Sequence, residues 1–192
     1  MSSKKFLCLF FSLLLVFPFV SCSVAGGDGE GRENDKKVVY EAFFLDNDEI
    51  LSRFAEVRGE TAPYERVTKD FHVTTSYMPE TDCRSLYGRE VTIRVTLYQC
   101  GVVLDDNGQP TSNEGFFGSV SSEDAELMAM IDSIDKNWHI TGSYQGAAKY
   151  TEYLDLTDAK EVDFTVKGVF GAFLGDGVYT FSPDLSPEKE AA

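Results

Sequence analysis

An α+β domain is what this sequence predicts, and three observations carry the prediction. Residues 69–77, KDFHVTTSY, return almost unchanged and without a gap at 136–144 as KNWHITGSY. Ahead of each copy stands a short apolar run and then a stretch with apolar residues at helical spacing, so the larger unit repeats as β-α-β. Between and after the two units lie further strand-like runs punctuated by glycine. Strands with interspersed helices and no long βα alternation indicate α+β.

The chain opens with MSSKKFLCLFFSLLLVFPFVSCSVAGG, where Lys4 and Lys5 precede an apolar run that ends at Val20. That run is too short and too early for a membrane span, and residues 1–21 read as a secretory signal peptide. Two cleavage readings stand side by side. One is an ordinary cut near Ser23 or Ala25; the other is lipoprotein processing at Cys22, where the sequence resembles a bacterial lipobox with Phe19 in place of the usual Leu. With Cys22 acylated, residues 22–37 become a flexible tether, because glycine and charge without apolar residues cannot pack. The protein is therefore expected to be exported, either lipid-anchored to the cell envelope through Cys22 or secreted. The folded domain is expected over 38–181, and SPDLSPEKEAA over 182–192 reads as a loose tail.

Within the domain, KVVYEAFFL (37–45) is apolar enough for a buried strand. Asp46 then caps NDEILSRFAEVRG: Glu49 follows it by three, Ile50, Phe54 and Val57 form the helical stripe, and Gly59 is the stop. A loop, ETAPYERVTK, leads into the first nonapeptide. EVTIRVTLYQCGVVL alternates Val91, Ile93, Val95 and Leu97 with polar neighbours, as a half-buried antiparallel strand does. EGFFGSV (114–120) is the next apolar strand. Ser121 or Ser122 is expected to cap SSEDAELMAMIDSIDK, whose stripe is Leu127, Ile131 and Ile134, and the second nonapeptide follows. EVDFTVKGVF and GVYTF are the closing strands.

On an extended strand, alternate side chains share a face. His72, Thr74 and Ser76 therefore point one way, as do His139, Thr141 and Ser143. Phe71, Val73 and Tyr77, and likewise Trp138, Ile140 and Tyr144, take the opposite, core-facing side. These two imidazoles are the chain's whole histidine complement. If the two units face each other, the polar faces meet across a groove. Phosphate chemistry suits that arrangement: a neutral histidine accepts a proton from attacking water, a protonated one donates to the leaving oxygen, and the threonine hydroxyls bind non-bridging oxygens. No metal-ligand cluster is visible, and neither a metal nor another cofactor is called for. Ser76 and Ser143 read as solvent-facing. Lys69 and Lys136, three residues before each histidine, read as solvated strand ends. Tyr150 and Tyr153 are better placed than Tyr77 and Tyr144 to line a groove.

His72-Val73-Thr74 and His139-Ile140-Thr141 resemble the paired His-x-Thr motifs of the 2H phosphoesterases, a superfamily that includes 2′-5′ RNA ligase-type 2′,3′-cyclic phosphodiesterases. The resemblance spans most of 38–181. It implies a bilobal, pseudo-twofold α+β fold with two antiparallel sheets around a central groove and flanking helices. It also implies metal-independent hydrolysis of a 2′,3′-cyclic phosphate or similar small nucleotide phosphodiester, with His72 and His139 catalytic and Thr74 and Thr141 binding substrate. The pattern departs from the family at Thr75 and Gly142, where an apolar residue is usual. The competing reading is a non-catalytic exported lipoprotein that binds a small anionic or nucleotide ligand in the same groove.

Charge narrows the partners. Seventeen basic against thirty-two acidic residues give a net −15, and removing the signal peptide makes the balance more negative. Such a surface repels a long phosphate backbone, so any anionic ligand is small and no tract of nucleic acid is expected. The protein is expected to act as a monomer. Cys83 and Cys100 could form a disulfide in an oxidising compartment, although spacing by itself does not decide it.

Overall fold

The computed structural model describes residues 37–186. The expected signal peptide, Cys22, the expected tether up to residue 36 and positions 187–192 lie outside the described residues.

The first β-α-β unit forms as its residues dictate. Strand β1 (Tyr40–Leu45) ends at Asp46, whose extended backbone turns the chain and whose carboxylate accepts from Glu49 N at 2.8 Å. Helix α1 (Asn47–Arg58) follows and stops at Gly59, which adopts φ +85°, a conformation that favours glycine. Its stripe buries Ile50 and Phe54 completely. Asn47 Oδ1 accepts from Phe71 N at 3.0 Å, tying the start of the helix to the residue just before the first motif histidine. The connecting loop holds a short strand, β2 (Arg66–Val67), before the first motif strand, β3 (His72–Tyr77).

A long hairpin comes next, β4 (Glu90–Leu104) with β5 (Pro110–Ser121). Val91, Ile93 and Val95 of β4 are buried, but a register shift between Val95 and Leu97 breaks the alternation and leaves Leu97 only half-buried. Helix α2 (Ala125–Asp132) is capped by Asp124 and not by Ser121 or Ser122. Asp124 Oδ1 accepts from Glu126 N and Leu127 N at 3.1 and 2.9 Å, while Ser121 still belongs to β5 and Ser122 Oγ donates to Glu90 O. Leu127 and Ile131 are buried; Ile134 falls beyond the helix end. The second motif strand, β6 (His139–Gln145), then β7 (Lys160–Gly175) and β8 (Val178–Thr180), complete the chain of elements. Ser182–Ser186 make a turn in which Ser186 O accepts from Thr180 Oγ1 at 2.8 Å, with Leu185 packed on the core.

The architecture is α+β, a largely antiparallel sheet with few helices. Where two sheets were expected, hydrogen bonds join the strands into one, in the order β2-β6-β5-β4-β7-β1-β3, with β8 also on β7. Strand β7 is the reason. Its sixteen residues are long enough to pair with β4 over Lys160–Val169 and with β1 over Gly168–Phe173. The sheet curls until β3, at one end, packs close to β6, near the other. Phe54 of α1 fills the concavity, stacked on Phe116 with ring centroids 3.6 Å apart and edge-on to Phe71 at 5.2 Å.

The repeat persists in the pairing. In β1 with β3, Phe44 faces His72, Phe43 faces Val73 and Ala42 faces Thr74; in β5 with β6, Phe117 faces His139, Phe116 faces Ile140 and Gly115 faces Thr141. Each ladder then slips at the same point, between Glu41 and Ala42 in one and between Asn113 and Gly115 in the other.

Candidate active site

The curl of the sheet brings the four motif residues together. His72, Thr74, His139 and Thr141 all line one groove of about 660 Å³ between the two motif strands. Each histidine is the first residue of its strand and is half-buried. His72 Nδ1 lies 2.7 Å from Asp70 O, and His139 Nδ1 lies 2.9 Å from Asn137 O, the carbonyl two residues back in both cases. A carbonyl oxygen only accepts, so each Nδ1 carries the proton. Each Nε2 is thereby left with its lone pair, the nitrogen able to take or return a proton.

The surroundings of the two rings differ. Tyr40 stacks on His72 with centroids 5.0 Å apart, and burial pushes its phenol up to about 12. Tyr179 OH donates to Asp70 Oδ2 at 2.7 Å and so holds the residue whose carbonyl orients His72. On the other side, Thr141 Oγ1 donates to Thr151 Oγ1 at 3.0 Å, and Thr151 donates in turn to buried Asn113 Oδ1 at 3.1 Å.

Desolvation lowers both imidazoles below the ordinary histidine value. The bond to Asp70 O and the Asp70 charge oppose this at His72, and the bond to Asn137 O opposes it at His139. Lys136 lowers both, and His72 lowers His139. Held below 6.5, the two rings are neutral near pH 7.

Lys136 is the main correction to the site as read from sequence. It is no solvated strand end: it is half-buried in the groove, its Nζ donates to Thr74 O at 2.8 Å across to the other motif strand, and it lies 5.8 Å from the Trp138 ring centroid. Desolvation lowers its own pKa, opposed by the charge of Glu152. Lys69, its counterpart in the first copy, is exposed as expected. Tyr77, expected in the core, is 70 % exposed at the groove, because β3 ends there and Met78 turns the chain at φ 48°. Tyr144 is half-buried. Tyr150 and Tyr153 do not line the groove: Tyr150 is buried and its hydroxyl accepts from Asp106 N at 3.0 Å, whereas Tyr153 is exposed. Ala148, Lys149 and Glu152 take that wall instead.

Beneath each motif strand lies a buried carboxylate. Ser76 Oγ donates to Glu41 Oε2 at 3.2 Å and Tyr87 OH to Glu41 Oε1 at 2.7 Å. In the second half, Ser143 Oγ donates to Glu114 Oε2 at 2.7 Å and Tyr98 OH to Glu114 Oε1 at 3.2 Å. The serines are thus ligands of buried acids, not solvent-facing groups; Ser143 and Glu114 are completely buried. The shared slip in the two ladders turns both glutamates inward. Burial raises both carboxyls. Only Glu114 has an ion-pair partner among the described residues: Arg58 Nε, 3.2 Å away and itself 7 % exposed. That contact is coulombic, since Arg58 Nε makes no aligned hydrogen bond. Gly142 is explained here, because a Cβ at that position would stand 2.5 Å from Glu114 Oε2. A signal for both acids was present in the sequence: Glu41-Ala-Phe-Phe and Glu114-Gly-Phe-Phe extend the repeat into the preceding strands.

Cys83 and Cys100 are free thiols, both raised by burial. Cys100 Sγ donates to Tyr98 OH at 3.1 Å. Among the described residues, no three His, Cys, Asp or Glu side chains gather as metal ligands. No protein-family model, curated protein or solved structure matches the chain.

Proposed function

We propose that the protein is a phosphodiesterase of the 2H type, acting without a metal on a 2′,3′-cyclic phosphate or a similarly small nucleotide phosphodiester. The observation that carries this reading is the convergence of two histidines from separate copies of one motif on a single groove, each with Nδ1 on a backbone carbonyl. The matched ladders of β1–β3 and β5–β6 support the pseudo-twofold, bilobal version of the fold.

In the reaction, one Nε2 takes a proton from water as its oxygen attacks phosphorus. The other imidazole, protonated, gives its proton to the ester oxygen that leaves, so a phosphomonoester and a free hydroxyl result. Thr74 donates to a non-bridging oxygen, and Thr141 does so once its hydroxyl turns away from Thr151 Oγ1. The protonated ring arises when the anion enters, because its negative charge offsets Lys136 and raises a histidine beside it.

The test is turnover of nucleoside 2′,3′-cyclic monophosphates in chelator-treated buffer. We expect His72→Ala and His139→Ala each to lower kcat by about 10²-fold or more. Because both rings are held below the ordinary histidine value of 6.5, the bell-shaped kcat/KM profile is expected to centre on the acid side of that value. Activity that survives both substitutions removes the mechanism.

One observation favours the second reading, an exported protein that binds a small anion without turning it over: desolvation and Lys136 together keep both rings neutral, which suits binding more than proton donation. Saturable binding of a cyclic nucleotide with no product formed decides for it.

A further inference from the structure

Two buried hydroxyls in the groove have nothing to bond to. Thr75 is 7 % exposed, and its Oγ1 is buried without a hydrogen-bond partner among the described residues. Thr68 Oγ1 is in the same condition. Both residues line the groove between the motif strands. Buried hydroxyls are normally paired, and an unpaired one in a binding cleft marks where a ligand oxygen belongs.

The two are placed alike. Thr75 stands in β3 at the position that Gly142 occupies in the second copy of the motif. Gly142 has no side chain to offer, since Glu114 fills the space its Cβ would need. Thr68, from the loop before β3, docks its N–H on Gly142 O at 3.0 Å, which brings a hydroxyl-bearing residue beside the second motif strand. Lys136 Nζ, on Thr74 O, sits at the peptide bond that leads into Thr75. Two hydroxyl donors and an ammonium thus line one groove beside the two imidazoles; the acidic group on its wall is Glu152, whose charge acts on Lys136.

We propose that Thr68, Thr75 and Lys136 form an oxyanion subsite, separate from the His-x-Thr threonines, that takes the oxygens of a phosphoryl group. The subsite rests on the phosphodiester reading for its natural occupant, a non-bridging or second phosphate oxygen of the substrate. Both hydroxyl oxygens are closed to solvent, so the threonine side chains turn toward the groove as the anion enters, while Lys136 is already held at its wall. Two hydroxyls without an acceptor, beside an ammonium that has spent one of its three N–H donors on Thr74 O, favour an anion over a neutral sugar or a cation.

The full-length protein is titrated with inorganic phosphate at constant ionic strength held with chloride, following emission of Trp138, the only tryptophan and the ring beside Lys136. Saturable phosphate binding is expected, weakened about tenfold or more by Thr75→Val and by Thr68→Val, and by Lys136→Met when followed calorimetrically. The unliganded Tm of the two valine variants is expected to stay level or rise, because neither hydroxyl makes an internal hydrogen bond to lose. A fall in unliganded Tm with phosphate affinity unchanged makes the hydroxyls structural and overturns the subsite. So does absence of phosphate binding by the parent protein. Turnover of cyclic nucleotides is measured on the same samples. Phosphate binding that is sensitive to the valine substitutions without turnover leaves the subsite standing and removes the enzyme; turnover with KM and phosphate affinity untouched in both valine variants does the reverse.

Discussion

Removing the guanidinium from beneath the second motif strand tests how Glu114 is stabilised. Glu114 is fully buried, and Arg58, 7 % exposed, is its one charged partner among the described residues. In Arg58→Met the stem that packs near Phe54 is kept while the positive charge is lost. The buried carboxylate then escapes an unpaired charge by taking up a proton. From the ordinary glutamate value of 4.5, holding a carboxyl neutral at pH 7 costs about 3 kcal/mol, and at pH 5 less than about 1 kcal/mol. The parent protein already bears part of this, because burial raises Glu114 even with Arg58 present. Arg58→Met is therefore expected to lose about 1–3 kcal/mol at pH 7 and under about 1 kcal/mol at pH 5. The sign follows from proton uptake: a carboxyl raised in the folded state contributes stability below its unfolded value and loses it as pH rises toward the folded one. Urea denaturation at the two pH values reads the difference, and adding Glu114→Gln to Arg58→Met should recover most of the loss at pH 7. A loss that is equal at both pH values, or a double variant as weak as the single one at pH 7, would refute the account.

Gly142→Ala places a methyl 2.5 Å from Glu114 Oε2, in a carboxylate held by Ser143 at Oε2 and by Tyr98 and Arg58 at Oε1, so we expect about 1–3 kcal/mol of destabilisation by urea denaturation and a lower kcat/KM from displacement of the second motif strand. Glu41 is raised by burial and has no ion-pair partner among the described residues. The parent protein is thus expected to lose stability as pH rises above 4.5, and Glu41→Gln to flatten that part of its stability profile; an unchanged slope in the variant contradicts the assignment.

Local signals in the chain are strong where one element settles its own geometry. The span of β4, the cap and stop of α1, and the turning of His72, Thr74, His139 and Thr141 away from buried Val73 and Ile140 needed only period, capping chemistry and a glycine. Departures occur where a non-local partner intervenes. Ser122 lost the role of cap because its hydroxyl, bonded to Glu90 O and Asp124 N, stops short of a helix that begins at Ala125, and Leu97 left the core because β4 slips against β5 and β7. Tyr77 followed alternation only until its strand ended. Lys136 departs from the solvated place an acidic chain suggests for a lysine, because a carbonyl of the opposite motif strand holds it in the groove.

From the order of residues alone came the duplicated unit, the α+β class and the two histidines with their threonines, because side-chain alternation and internal repetition are written along one dimension. Folding added what depends on chain segments far apart: a single sheet joined through the length of β7, the curl that sets β3 beside β6, the burial of Glu41 and Glu114 under the motif serines, and the delivery of Thr68 to Gly142. Curvature of a sheet accumulates over all its strands, and desolvation of a charge depends on every segment packed around it. Neither quantity belongs to any one stretch of sequence.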